Sequence, residues 1–189
     1  MAKVFVGGSR KWDMFPDEVI VDLDERIIRD IVNDACDHND EIYIGNCPQG
    51  IDKMVFNCVI RHNKVSPKPV KLVIVCNDEP RITWWDVHIS VISLKELYEK
   101  GELAEFFENR DILMPDWNDQ RLKDDWMLEN TDIHRFIWNG KSGKSRATYR
   151  NAIISGYTIK SDNSIIYRPY VVENRIVWTS KFTYEIEET

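Results

Sequence analysis

Apolar positions along this chain follow two periods. Short β-rich runs at residues 3–6, 41–44, 70–76 and 134–138 each stop at small or polar residues. Runs of this length with few polar interruptions mark parallel strands covered on both faces. Between them the period changes to three or four: Val19, Ile20, Leu23, Ile27, Ile28, Ile31, Val32 and Ala35 form one apolar stripe over residues 18–36, and Met54, Val55, Cys58 and Val59 another over 52–60,. Residues 123–130 read as a short helix, and 145–155 as a further helix that ends at Gly156,.

Strand and helix alternate, which predicts an α/β fold: three layers, Rossmann-like, with an open, mostly parallel sheet and helices on both faces. Residues 77–120 break the rhythm. They mix Trp84, Trp85, Phe106, Phe107 and Trp117 with prolines and carry only a modest helical pattern over 91–107, so they read as an insertion or elaborated crossover. A fifth strand is expected at 157–160. Two β runs at 165–172 and 176–186 then predict a C-terminal β-hairpin, with Pro169 removing a ladder donor and placing the first run at an edge or bulge,. Residues 1–161 thus read as one domain, and 162–189 as a hairpin extension of it.

Composition narrows the function. The 189 residues are 43% hydrophobic, enough for one substantial core,. Asp and Glu outnumber Lys and Arg by 32 to 25, a net charge of −7. That sign disfavours an extended nucleic-acid surface, so an anionic ligand must be met by local groups. No apolar run approaches the roughly 20 residues of a membrane helix, and residues 1–6 lack the longer apolar stretch of a secretion leader, so a cytoplasmic location away from membranes is expected,. Cys36, Cys47, Cys58 and Cys76 fall singly and the four histidines are scattered. Neither pattern has metal-ligand spacing, so no metal site and no cofactor is expected.

Ligands of open parallel sheets bind at the carboxyl ends of strands where strand order reverses, here between the first strand and the one at 134–138. Both run into loops of small polar residues: Gly7, Gly8, Ser9 and Arg10 after the first, and Asn139, Gly140, Lys141, Ser142, Gly143, Lys144 and Ser145 after the other. Glycine permits close backbone approach, exposed amides and a helix N-terminus attract an anion, and serine hydroxyls and arginine add donors. Standing alone, Gly7-Gly8 is also an ordinary strand-to-helix turn. Gly143-Lys144-Ser145 ends like a P-loop, but that motif needs a glycine where this chain has Trp138,. A third loop runs from Gly45 through Gly50 to Asp52 at the start of a helix. Asp52 suits either the helix dipole or a ligand, as an acceptor for ribose hydroxyls or a carboxylate beside a glycosidic carbon. If the pocket is catalytic, Asp52, Asp125 and Glu129 are the candidate carboxylates. Trp12, Trp84 and Trp85 suit stacking on a base or burial in the core, and Arg146 and Arg150 either extend a basic edge or form a solvated helix face.

Three segments together resemble the SLOG superfamily, in particular its YspA-like branch, which is related to the LOG and DprA groups. Residues 6–12 look like that branch's opening Gly-Ser-Arg-x-Trp signature, residues 45–52 like its Gly-x-x-x-Gly-x-Asp element, and residues 132–145 like its late strand and Asp/Asn-Gly-x-Ser-x-Gly-Thr loop. The resemblance implies a Rossmann-like homo-oligomer that holds a nucleotide-derived small molecule, including ADP-ribose-like ligands, as a sensor or sequestering module. It adds Trp12 to the expected ligand set of Gly7, Gly8, Ser9, Arg10, Gly45, Gly50, Asp52 and residues 139–145. LOG-type relatives cleave nucleotide N-glycosidic bonds with a Pro-Gly-Gly-x-Gly-Thr-x-x-Glu loop. In this chain Lys144 and Ser145 replace Gly-Thr, and Thr148 stands where the glutamate falls. An N-glycoside hydrolase or deoxyribosyltransferase-like activity and a protein-interaction module with a vestigial pocket are the alternatives.

Overall fold

Two stacks of side chains, one on each face of a single sheet, follow from strict alternation along its strands. In β1 (Lys3–Gly8), Val4 and Val6 point to one face and Phe5 to the other. In β2 (Glu41–Ile44), β3 (Lys71–Cys76) and β5 (Ile133–Ile137) the same split sends Ile42, Ile44, Leu72, Ile74, Ile133 and Ile137 one way and Tyr43, Val73, Val75 and Phe136 the other. Helices cover both layers. The apolar stripes of α1 (Glu18–His38) and α2 (Gly50–Val65) pack on the first face through Ile28, Ile31, Val32, Val55 and Val59. On the second face α3 (Leu94–Glu99), α4 (Ala104–Glu108), α5 (Arg121–Asn130) and α6 (Arg146–Ile154) contribute Leu94, Phe106, Phe107, Leu122, Met127 and Ala152. The computed structural model describes the backbone of residues 1–8, 18–82, 86–137 and 146–155 and five short strands beyond, and the side chains of 1–8, 25–82, 86–137 and 150–155.

The strands lie in the order β4-β3-β2-β1-β5, all parallel, an α/β Rossmann-like architecture. Three sequence expectations need correction. Residues 77–120 contain a strand, β4 (Ile89–Ser93), which pairs with β3 and extends the sheet at its edge. Its short, half-exposed run of Ile, Ser and Val hides it, and Ser93 ends the strand while its Oγ accepts the Glu96 N–H at 3.4 Å to cap α3, so no turn separates the two periods. Gly7 and Gly8, expected in a loop, are the last residues of β1, because β5 continues beside them in register, Gly7 against Phe136 and Gly8 against Ile137.

The third correction concerns the C-terminal strands. The strand expected at 157–160 is β6 (Thr158–Ile159), which pairs with β7 (Ile165–Tyr167) instead of joining the parallel sheet; β7 in turn pairs with β10 (Tyr184–Ile186). The hairpin itself is the antiparallel pair β8 (Tyr170–Val172) and β9 (Arg175–Val177). The first expected run thus divides around Pro169, a residue that lacks a ladder donor and lies outside the described set,. Among the described residues, no helix is long and apolar enough to cross a membrane.

Candidate functional site

All five strands of the main sheet point the same way, so their carboxyl ends share one edge, and strand order reverses between β1 and β5. Gly8 pairs with Ile137, so the chain leaves these two strands side by side. Ser9, Arg10, Trp12 and residues 139–145 of the expected ligand set follow those strand ends and lie outside the described residues. Gly7, Gly8, Gly45 and Asp52 line a crevice at this edge, together with Arg81, Lys123, Asp124 and Asn151.

Two of its glycines have different reasons to be glycine. A Cβ at Gly8 would stand 2.4 Å from Ile51 Cγ1 and 2.6 Å from the Ile137 carbonyl oxygen, so this residue lets α2 and β5 close directly on β1. A Cβ at Gly45 would stand 2.7 Å from Asp52 Oδ2 and 3.2 Å from Lys123 Cε, so this residue leaves room for two functional side chains. Gly50 has φ of 71° where the loop turns into α2, a left-handed conformation that glycine adopts without strain,.

Asp52 sits in the first turn of α2, where the helix dipole stabilises its charge, and its Oδ2 accepts the Cys47 N–H at 3.2 Å,. Across Gly45 stands Lys123 of α5, only 3% exposed. Its Nζ donates to the Gln120 carbonyl at 3.2 Å and lies 3.5 Å from Asp124 Oδ1. The Asn151 amide on α6 donates to Asp124 Oδ2 at 3.2 Å, tying α6 to the crevice wall. Among the described residues the lining therefore carries two cations, Arg81 and Lys123, and two carboxylates, Asp52 and Asp124. It offers donors for an anion and acceptors for hydroxyl or amino groups.

The other two candidate carboxylates do not join it. Asp125 lies 2.6 Å from Arg150 and 3.6 Å from Arg110, and Glu129 pairs with Arg110, whose guanidinium stacks 3.8 Å from the centre of the Phe106 ring. This network joins α4, α5 and α6, and it uses Arg150, expected on a basic edge or a solvated face, as a tie between helices. Lys123 was not among the expected residues. It precedes the buried Met127 by four positions and so shares its helix face, the signal that marks it as an inward-facing lysine,.

Burial pushes the Cys58 and Cys76 thiols up, Cys76 to about 11, so neither is a ready nucleophile at neutral pH,. At the opposite edge of the sheet, Asp34, His38 and Asp40 bring ligand atoms within 4.8 Å of one another. These groups serve the fold: Asp40 Oδ1 accepts the Ala2 N–H at 2.7 Å, and Asp34 lies 2.8 Å from Arg135 and 3.2 Å from His38. No family model matches the chain, and no curated protein matches it.

Proposed function

We propose that the crevice binds a nucleotide or nucleotide-derived ligand, so that the protein acts as a sensor or sequestering module of SLOG type. The observation that carries this reading is the meeting of Asp52, Lys123 and the Gly8–Ile137 strand ends at the point where strand order reverses. In sheets of this architecture the phosphate sits at a strand end and helix N-terminus, and an acidic residue takes the ribose hydroxyls. Here Asp52 takes the ribose, and Lys123 and Arg81 supply the positive charge that a net-negative chain must concentrate locally.

Calorimetric titration with nucleoside mono- and diphosphates tests the reading. Asp52→Asn keeps the shape of the side chain and is expected to weaken binding roughly tenfold or more, as expected when a hydrogen bond to a charged group is lost. Gly45→Ala is expected to weaken it as well, with little effect on stability, because the added methyl displaces the ends of the Asp52 and Lys123 side chains and no backbone. Binding unchanged in both variants removes the crevice as the site. Release of free base, lost in Asp52→Asn, identifies an N-glycoside hydrolase in place of a binding module.

A further inference from the structure

The two edge strands of the main sheet are guarded differently. β5 carries His134 and Arg135 and has β9 against it. Charges and covering segments are the usual protection of an edge, whose outer row of N–H and C=O groups otherwise serves as a template for another chain. β4, at the opposite edge, has β3 on one side and, among the described residues, no strand on the other. Its five residues, Ile89-Ser90-Val91-Ile92-Ser93, include no charge and no proline, and Val91 is 45% exposed. Two residues ahead of the strand, Val87 is 94% exposed.

Hydrogen bonding fixes which groups of β4 look outward. The Leu72 N–H donates to the His88 carbonyl at 2.9 Å, and Leu72 stands opposite Ile89, so in this parallel ladder Leu72, Ile74 and Cys76 of β3 bond to His88, Ser90 and Ile92,. The residues between, Ile89 and Val91, turn their N–H and C=O groups to the open side. The Ile89 N–H is taken by the Asp86 carbonyl at 3.1 Å. Val91 keeps both of its groups: among the described residues neither has a hydrogen-bond partner.

We propose that β4 pairs antiparallel with β4 of a second copy of this chain, about a two-fold axis at Val91, so that two five-stranded sheets become one continuous sheet. The strand is its own complement in that register. Val91 exchanges two hydrogen bonds with its symmetry mate, N–H to C=O in each direction, which sets their Cα atoms about 5.5 Å apart. Ile89 then stands opposite Ser93 and Ser90 opposite Ile92, so no charge meets its like, and the two exposed valines cover one another,. A strand of another protein has no reason to match this register, whereas a second copy matches it by symmetry. Antiparallel pairing points the carboxyl edges of the two sheets in opposite directions, and the crevice lies over β1 and β2, so each copy keeps its own crevice.

Analytical ultracentrifugation of the full chain over a range of concentrations tests the pairing, with two variants at Val91. The parent is expected to sediment as a concentration-dependent dimer. Val91→Pro strips the outward N–H and no bond to β3, a substitution that an edge strand tolerates. It is expected to weaken the dimer roughly tenfold or more, since the two-fold axis doubles the loss of one backbone hydrogen bond. Val91→Cys is expected to give a covalent dimer on mild oxidation, because a Cα separation of about 5.5 Å is within disulfide reach, while the parent gives none. A monomeric parent, or a dimer that Val91→Pro leaves as tight as before, overturns the pairing; should the proline variant fail to fold, a Val91→Cys chain that does not cross-link overturns it instead. Nucleotide affinity is expected to be equal in the parent and Val91→Pro, so the dimer and the nucleotide site stand or fall separately.

Discussion

The two edges of the main sheet hold similar polar residues and use them in opposite ways. At the amino edge these groups pair mainly with one another, although the buried Arg135 Nε, like Asn77 Oδ1, has no hydrogen-bond partner among the described residues. Asp40 accepts from the Ala2 N–H at 2.7 Å and Asp132 from the Lys3 N–H at 2.8 Å; Lys71 lies 2.7 Å from Glu41, and Arg135 2.8 Å from Asp34. At the carboxyl edge Asp52, Lys123 and Asp124 line an opening, and Asn77 keeps an acceptor without a donor among the described residues. The amino edge closes the fold, and the carboxyl edge opens the crevice that the proposed function assigns to a ligand.

The comparison is broken most severely at Gly8, which lines the crevice at the carboxyl edge and also lets α2 and β5 close on β1. Gly8→Ala is expected to cost about 3 kcal/mol or more, since the clash falls on the Ile137 carbonyl as well as on Ile51 and neither can move without disturbing β5 or α2,. Urea denaturation measures the loss, and a variant as stable as the parent removes the claim that these elements close directly on β1. Next comes the amino edge. Asp40→Ala leaves the buried Ala2 N–H without this acceptor and is expected to cost about 2 kcal/mol while nucleotide affinity stays unchanged,. A matching drop in affinity would mean that the two edges are coupled.

The smallest effect is one of pH. Burial first, and the neighbouring Glu41 carboxylate second, push the Tyr43 phenol up to about 12 from its ordinary 10.0. The folded protein therefore keeps this proton where the unfolded chain gives it up. The resulting stability is complete below pH 10 and is lost as pH rises towards about 12,. Thermal melts of the parent and Tyr43→Phe are expected to run parallel up to pH 10 and to converge or cross above it. Curves that stay parallel throughout would place no unfolding-linked proton on Tyr43.

Much of this architecture was legible because hydrophobic burial is periodic. β2, β3, β5, α1 and α2 stand where the alternation of apolar residues puts them, and the adjacency of β1 and β5 was expected from the switch point at which strand order reverses in sheets of this kind,. β4 was not legible, since an edge strand is buried on fewer sides and Ile89-Ser90-Val91-Ile92-Ser93 carries little apolar contrast. The site was half legible. Glycines and an acidic residue after a strand announce Asp52 and Gly45, but Lys123, Asn151 and the pair Asn77 and Arg81 come from three distant segments and converge only once the sheet has formed. Asp125 and Glu129 show the reverse. A carboxylate on a helix near the sheet has the same letter whether it faces a ligand or an arginine, and here Arg110 and Arg150 take both.

The two glycines also differ as markers when other chains are compared with this one. The steric demand at position 8 is present whether or not a ligand binds, so any chain that keeps this strand-and-helix arrangement must keep a glycine there. Position 45 is glycine on behalf of Asp52 and Lys123. A chain with a larger residue at that point has kept the scaffold and surrendered the pair, which makes position 45 a better witness of a shared crevice than the more conspicuous Gly-Gly near residue 8.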